Sequence, residues 1–178
     1  IKGIAPGQTY IELQSNGDNL HLFHVGKVKG SVSERTYDNN YLKSVSLTLT
    51  SNKKIYNNTL LRIGACHQIK IDDVKFIGNS ENTSLTSKEL AKISADQSKS
   101  ELANVAIKFD GASELLDLNN IFTLTDIGIK FSRNTDFVNI SNYTSWNGRN
   151  GYCTVYFEDT TISNVLFSGN QSWSQGLY

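Results

Sequence analysis

A chain of 178 residues carries 17 basic and 17 acidic side chains, so no net field draws it toward nucleic acid or an anionic membrane. No apolar run approaches the roughly 20 residues that span a bilayer and no signal-peptide pattern opens the chain, so membrane insertion is not expected. One Pro, 13 Gly and abundant Asn, Ser and Thr suit short strands joined by polar turns, not a helical enzyme. The chain begins with Ile and contains no Met, which reads as a piece of a longer protein. Cys66 and Cys153 have no C-x-x-C spacing and read as small core residues.

Taken in order, residues 9–13, 20–25 and 44–49 alternate apolar and polar as strands do. His21 and His24 lie three apart in the second run, which predicts opposite faces. With His67 they form no H-E-x-x-H or comparable cluster, so neither a metal nor another cofactor is expected. The polar segment 29–40 reads as an exposed loop. Ile71-Asp72-Asp73-Val74-Lys75-Phe76 is a further strand. From Ser84 to Ala103 the alternation breaks, and Lys88-Glu89-Leu90-Ala91-Lys92-Ile93 favours helix. An insertion near 81–103, forming a short surface helix, is the expectation.

Beyond this insertion the chain repeats. Ile107-Lys108-Phe109 returns as Ile129-Lys130-Phe131, 22 positions on. Leu118, Ile140 and Ile162 share that spacing, as do Asn120, Asn142 and Asn164; Ile71-Asp72-Asp73-Val74 is an earlier copy with Asp in place of Asn. No single copy is long enough to bury its own apolar face. Coils of about 22 residues stacked at ~4.8 Å would pair in parallel and bury a shared Ile/Leu/Phe/Val column. The sequence thus predicts an all-β right-handed parallel β-helix, residues 1–178 forming one domain. The three asparagines would form a ladder at an inward-turning corner.

These phrases resemble the pectate-lyase-like β-helix superfamily, and within it the tailspike proteins of bacteriophages. The resemblance rests on Ile-Ser-Asn-(Tyr/Val) at 140–143 and 162–165, on Val74-Lys75-Phe76-Ile77-Gly78-Asn79 echoed by Val165-Leu166-Phe167-Ser168-Gly169-Asn170, and on the Cys-poor composition. It implies a homotrimer, in the virion tail or otherwise extracellular, that binds and often cleaves a bacterial surface polysaccharide.

Glu114, Asp136 and Glu158 follow the same 22-residue spacing and are expected in one column. Stacked carboxylates can supply the separations that retaining or inverting glycosidases need, and like charges so close would raise a pKa, as a general acid requires. Asp159 adds a fourth carboxylate. Asn134-Thr135-Asp136 resembles the Asn-Thr-Asp motif of polygalacturonase-like glycosidases, with Glu158-Asp159 where that family has Asp-Asp. Its Gly-His-Gly and Arg-Ile-Lys motifs are absent. Trp146, Arg149 and Tyr152 sit in a Ser/Asn/Gly-rich stretch, and Trp173 follows about one coil later; they are the expected sugar contacts. The expected function is polysaccharide hydrolysis. A non-enzymatic fibre or adhesin shaft and a polysaccharide lyase are the alternatives.

Overall fold

The computed structural model describes residue 3 and residues 9–78, 80–146, 152–158, 160 and 162–172. Among the described residues the fold is all-β, with two mostly parallel sheets and no closed barrel. Strands β1 (Tyr10–Gln14), β3 (Thr36–Thr50), β5 (Cys66–Ile77), β7 (Ser113–Leu124), β9 (Thr135–Ser141), β10 (Thr144–Ser145), β12 (Ile162–Ser168) and β13 (Gln171–Ser172) form the larger sheet. Between them along the chain come β2 (His21–Val25), β4 (Thr59–Ile63), β6 (Val105–Phe109), β8 (Ile127–Phe131) and β11 (Cys153–Phe157), which form the smaller one. In both sheets spatial order follows chain order. Parallel neighbours need a long crossover, and here each crossover contains a strand of the other sheet. The expected loop at 29–40 is corrected at its end: β3 already begins at Thr36, because that stretch pairs with β5.

One apolar cluster takes residues from both sheets. Equivalent positions stack, giving the buried column Leu42, Ile71, Leu118 and Ile140. In the smaller sheet Phe109, Phe131 and Phe157 stack nearly parallel, with ring centroids 4.8 and 5.5 Å apart. At 25 cal/mol per Å², each such ring contributes roughly 2 kcal/mol on leaving water.

The smaller strands depart from simple alternation. Leu60-Leu61 and Ala106-Ile107 are adjacent pairs that both enter the shared core. In β11 the corresponding pair is Thr154-Val155, and the residues that flank it, Cys153 and Tyr156, join one cluster on the other face. The prediction that His21 and His24 point oppositely is corrected for this reason, since Leu22-Phe23 is such a pair and the two rings lie edge to face at 5.3 Å. Gly128 takes the place of Ala106, and a Cβ there would collide with the Tyr143 hydroxyl, itself 2.8 Å from Thr123 Oγ1.

The 22-residue spacing holds at one step in each sheet, Leu116 to Val138 and Ile107 to Ile129. Elsewhere the loops are longer: Val138 pairs with Val165, and Ile69 with Leu116. This corrects the asparagine ladder. Asp73, Asn120 and Asn142 do align, all in the left-handed region, with Ser44 before them and Gly169 after. Asn164 falls in a different column, beside Phe137. The corner also faces outward, since Asn120 and Asn142 are exposed. Asn120 Nδ2 donates to Asp73 Oδ1 at 2.9 Å, and Asn142 Nδ2 to Asn119 Oδ1 at 3.0 Å.

The inward ladder exists elsewhere, ahead of the smaller-sheet strands. Asn58 Oδ1 accepts the Leu20 N–H at 3.0 Å, Asn104 Oδ1 accepts that of Asn58 at 2.9 Å, and Asp126 Oδ2 accepts that of Asn104 at 2.9 Å. All three side chains are buried. Asp126 Oδ1 also accepts the Leu85 N–H at 2.7 Å, which ties down the insertion. The insertion contains α1 (Ser87–Ala95), started by a capping box in which Thr86 and Glu89 exchange hydrogen bonds. Leu85, Ile93 and Ala103 then cover Val105, Ile127 and Cys153 on the face turned from the shared core.

Candidate functional site

The outward face of the larger sheet holds two of the expected carboxylates. Alternation places His67, Glu114, Asp136 and Ser163 in one column, with Glu114 and Asp136 as direct partners on β7 and β9. Glu114 is clamped: Arg35 Nη1 approaches Oε2 at 2.5 Å and His67 Nε2 approaches Oε1 at 3.1 Å. Asp136 Oδ1 accepts from Ser163 Oγ and Asn164 Nδ2, both at 2.7 Å, and from the Phe137 N–H at 2.8 Å. The Ser163 and Asn164 bonds hold its carboxyl below the ordinary aspartate value. The expectation that stacking would raise a carboxyl is therefore corrected for Asp136. Donors from the next strand outweigh the like charge.

Glu158 is not in this column, because the partner of Asp136 is Ser163 and the connection there is longer than 22 residues. It lies at the end of β11, on the smaller sheet, 2.8 Å from Lys130 Nζ. Burial would raise its carboxyl, but the Lys130 hydrogen bond and the charges of Lys130 and Lys108 bring it below the ordinary value. Asp159, Arg149 and Trp173 lie outside the described residues. Trp146 is 59% exposed just past β10, with its backbone N–H on Thr123 O at 2.8 Å. Tyr152 is corrected from groove to core: it is 0% exposed, 5.9 Å from the Tyr156 ring, in the cluster under the insertion.

The columns beside Glu114 and Asp136 are paired ladders. Lys43 meets Asp72 at 2.8 Å, Asn119 Nδ2 donates to Asp72 Oδ1 at 2.9 Å, and Ser141 Oγ donates to Asn119 Oδ1 at 3.0 Å. Asn139 Nδ2 donates to Asp117 Oδ1 at 3.0 Å.

Against these ladders two residues stand out. Leu115 and Phe137, partners one strand apart and each next to a column carboxylate, have φ of 56° and 51°. Bulky side chains rarely adopt this region, at a cost of about 1 kcal/mol or more each. Yet they are 43% and 52% exposed, so no core packing holds them there. The next position in the column is Asn164, a residue that tolerates this conformation. Sequence reasoning missed the pair, although Glu114-Leu115-Leu116 and Asp136-Phe137-Val138 both break the period-2 alternation.

Among the described residues no group of His, Cys, Asp and Glu could hold a metal ion. Nor, among the described residues, is any helix long and apolar enough to cross a membrane. No family model, no curated protein and no solved structure matches the chain.

Proposed function

We propose that this chain is a length of right-handed parallel β-helix that binds a bacterial surface polysaccharide on the outward face of its larger sheet, at the ridge formed by Leu115 and Phe137. Strand order that follows chain order in both sheets supports the helix, and its hand follows the general preference for right-handed parallel crossovers. The observation that carries the binding site is Phe137, an exposed ring kept in a disfavoured conformation beside Asp136, Asn164 and Ser163. A ring flanked by hydrogen-bonding groups suits the apolar face and hydroxyls of a pyranose. The virion tail, an extracellular setting and a homotrimer belong to the same proposal through the tailspike resemblance.

Binding to a panel of capsular and O-antigen polysaccharides tests it, the parent chain beside Phe137→Asn. Asparagine keeps the backbone conformation and removes the ring, so loss of binding without loss of stability is the expected outcome. Equal binding by both proteins would remove the ridge from the proposal.

Hydrolysis is the second reading, favoured by the adjacency of Glu114 and Asp136. It needs a proton donor, a role the donors around Asp136 disfavour. Reducing-end release that disappears in Asp136→Asn and Glu114→Gln would establish it. Polysaccharide bound but uncut by the parent would leave the binder. Unsaturated product would instead identify a lyase.

A further inference from the structure

The outward face of the smaller sheet is built differently. His24, Arg62, Lys108, Lys130 and Tyr156 are successive strand partners, so three permanent cations repeat at the inter-strand spacing of ~4.8 Å. Two carboxylates answer them. Asp110 Oδ2 takes Arg62 Nε at 2.6 Å, and Glu158 takes Lys130. Among the described residues, Lys108 between them makes no ion pair. Like charges directly opposite one another are unfavourable in a sheet. Burial, and then the charge of Lys130, push the Lys108 ammonium below its ordinary value.

Lys108 opens onto a groove of about 110 Å³, lined also by Arg62, His21, Thr59, Asn57 and Asn19, with no acidic side chain among the described residues of its wall. Asn19 and Asn57 shape its rim with left-handed backbones and a 2.6 Å bond from Asn57 Nδ2 to Asn19 Oδ1. His21 is held below the ordinary histidine value by burial, then by the charge of Arg62 and by His24. The wall therefore offers charged and neutral donors around a small space, with the Asp110 carboxylate paired to Arg62 as the counter-charge that His21 and Lys108 feel.

We propose that this groove is a binding site for an oxyanion group, a carboxylate, sulfate or phosphate, seated between Lys108 and Arg62 and bordered by His21. Such a group supplies the charge that the Arg62-Lys108-Lys130 column lacks, through charge-assisted hydrogen bonds. The site lies on the other sheet from the Leu115–Phe137 ridge and stands or falls separately from it.

Calorimetric titration of the full chain at low ionic strength tests the site, with sodium sulfate and sodium glucuronate as separate probes. Saturable binding is expected, weakened about tenfold or more in Lys108→Gln, as one charge-assisted bond implies. It should weaken also in His21→Ala and stay unchanged in Lys70→Gln, a cation on the larger sheet. Lys108→Gln removes a like-charge neighbour, so it should fold at least as stably as the parent. Tighter sulfate would identify a free inorganic anion as the ligand, and tighter glucuronate an acidic saccharide. No saturable binding of either probe, or affinity unchanged in both Lys108→Gln and His21→Ala, overturns the site.

Discussion

Asp126 and Asp136 are ten residues apart and both serve as rungs between successive strands, yet their surroundings drive them oppositely. Asp126 ends a buried ladder at the smaller sheet and accepts the backbone N–H groups of Asn104 and Leu85. Asp136 is on the larger sheet's outward face and accepts from Ser163, Asn164 and its neighbour's N–H. Burial pushes the Asp126 carboxyl up to about 7 despite these backbone donors, whereas the exposed carboxyl is held low by its partners. The contrast extends to the two faces. On the larger sheet, opposite or polar partners alternate down the Lys43–Asp72–Asn119–Ser141 and Lys70–Asp117–Asn139 columns, and stacking turns them into ladders. On the smaller sheet one sign repeats, and stacking leaves a charge unanswered.

The largest effect expected from this contrast is at Asp126. Its folded value lies above the unfolded one near 3.9, so its contribution is complete below pH 4 and is lost as pH rises toward 7. The loss amounts to about 4 kcal/mol at most. Urea unfolding of the parent at intervals from pH 4 to 8 should follow that decline. Asp126→Asn should lose this decline and keep only the slight rise with pH that His21 and the lowered carboxyls supply, while losing about 1–3 kcal/mol at low pH because one N–H is left without an acceptor. A parent whose stability rises through the window would break the comparison.

Glu158 comes next. Its partner Lys130 is 2% exposed, with Ser100 Oγ at 3.2 Å and the Tyr156 ring centroid at 5.3 Å as its other contacts. Glu158→Gln leaves a buried ammonium poorly answered and should cost about 2 kcal/mol, less than a fully buried pair because Glu158 is itself partly exposed. Denaturant midpoints with unchanged slope would verify this. A neutral result would mean that water reaches Lys130.

At Phe137 the expected sign reverses. Phe137→Asn should raise stability by about 1 kcal/mol by relieving the left-handed strain, as Asn164 already does one strand on. A drop in melting temperature would show that the ring packs usefully and would weaken its reading as a binding ridge. The smallest effect belongs to Asp136→Asn. The low carboxyl value means stability present above the unfolded value and lost as pH falls through the folded one. The variant should fall below the parent at neutral pH and converge with it as pH falls, a slope opposite to that at Asp126, and melts compared at pH 7 and near pH 3 would detect it.

Much of this is legible in the order of the residues alone. Period-2 alternation and the polar turns mark an all-β fold, and Thr86 with Glu89 sits at the start of the expected helix. The adjacency of Glu114 and Asp136 follows from a spacing that proves real at that step. Register is what the sequence could not decide. Alternation says which side chains share a face within one strand, whereas the neighbour one strand away depends on loop length, and loops absorb extra residues at little cost. The longer connection after β9 moves Asn164 beside Phe137 and separates Glu158 from Asp136. Paired inward residues in the smaller strands bring His21 to His24, and the same pairing sets Lys108 beside the groove. Only strand pairing in three dimensions decides which charges meet, because the hydrogen bonds that fix it join residues 22 to 47 positions apart.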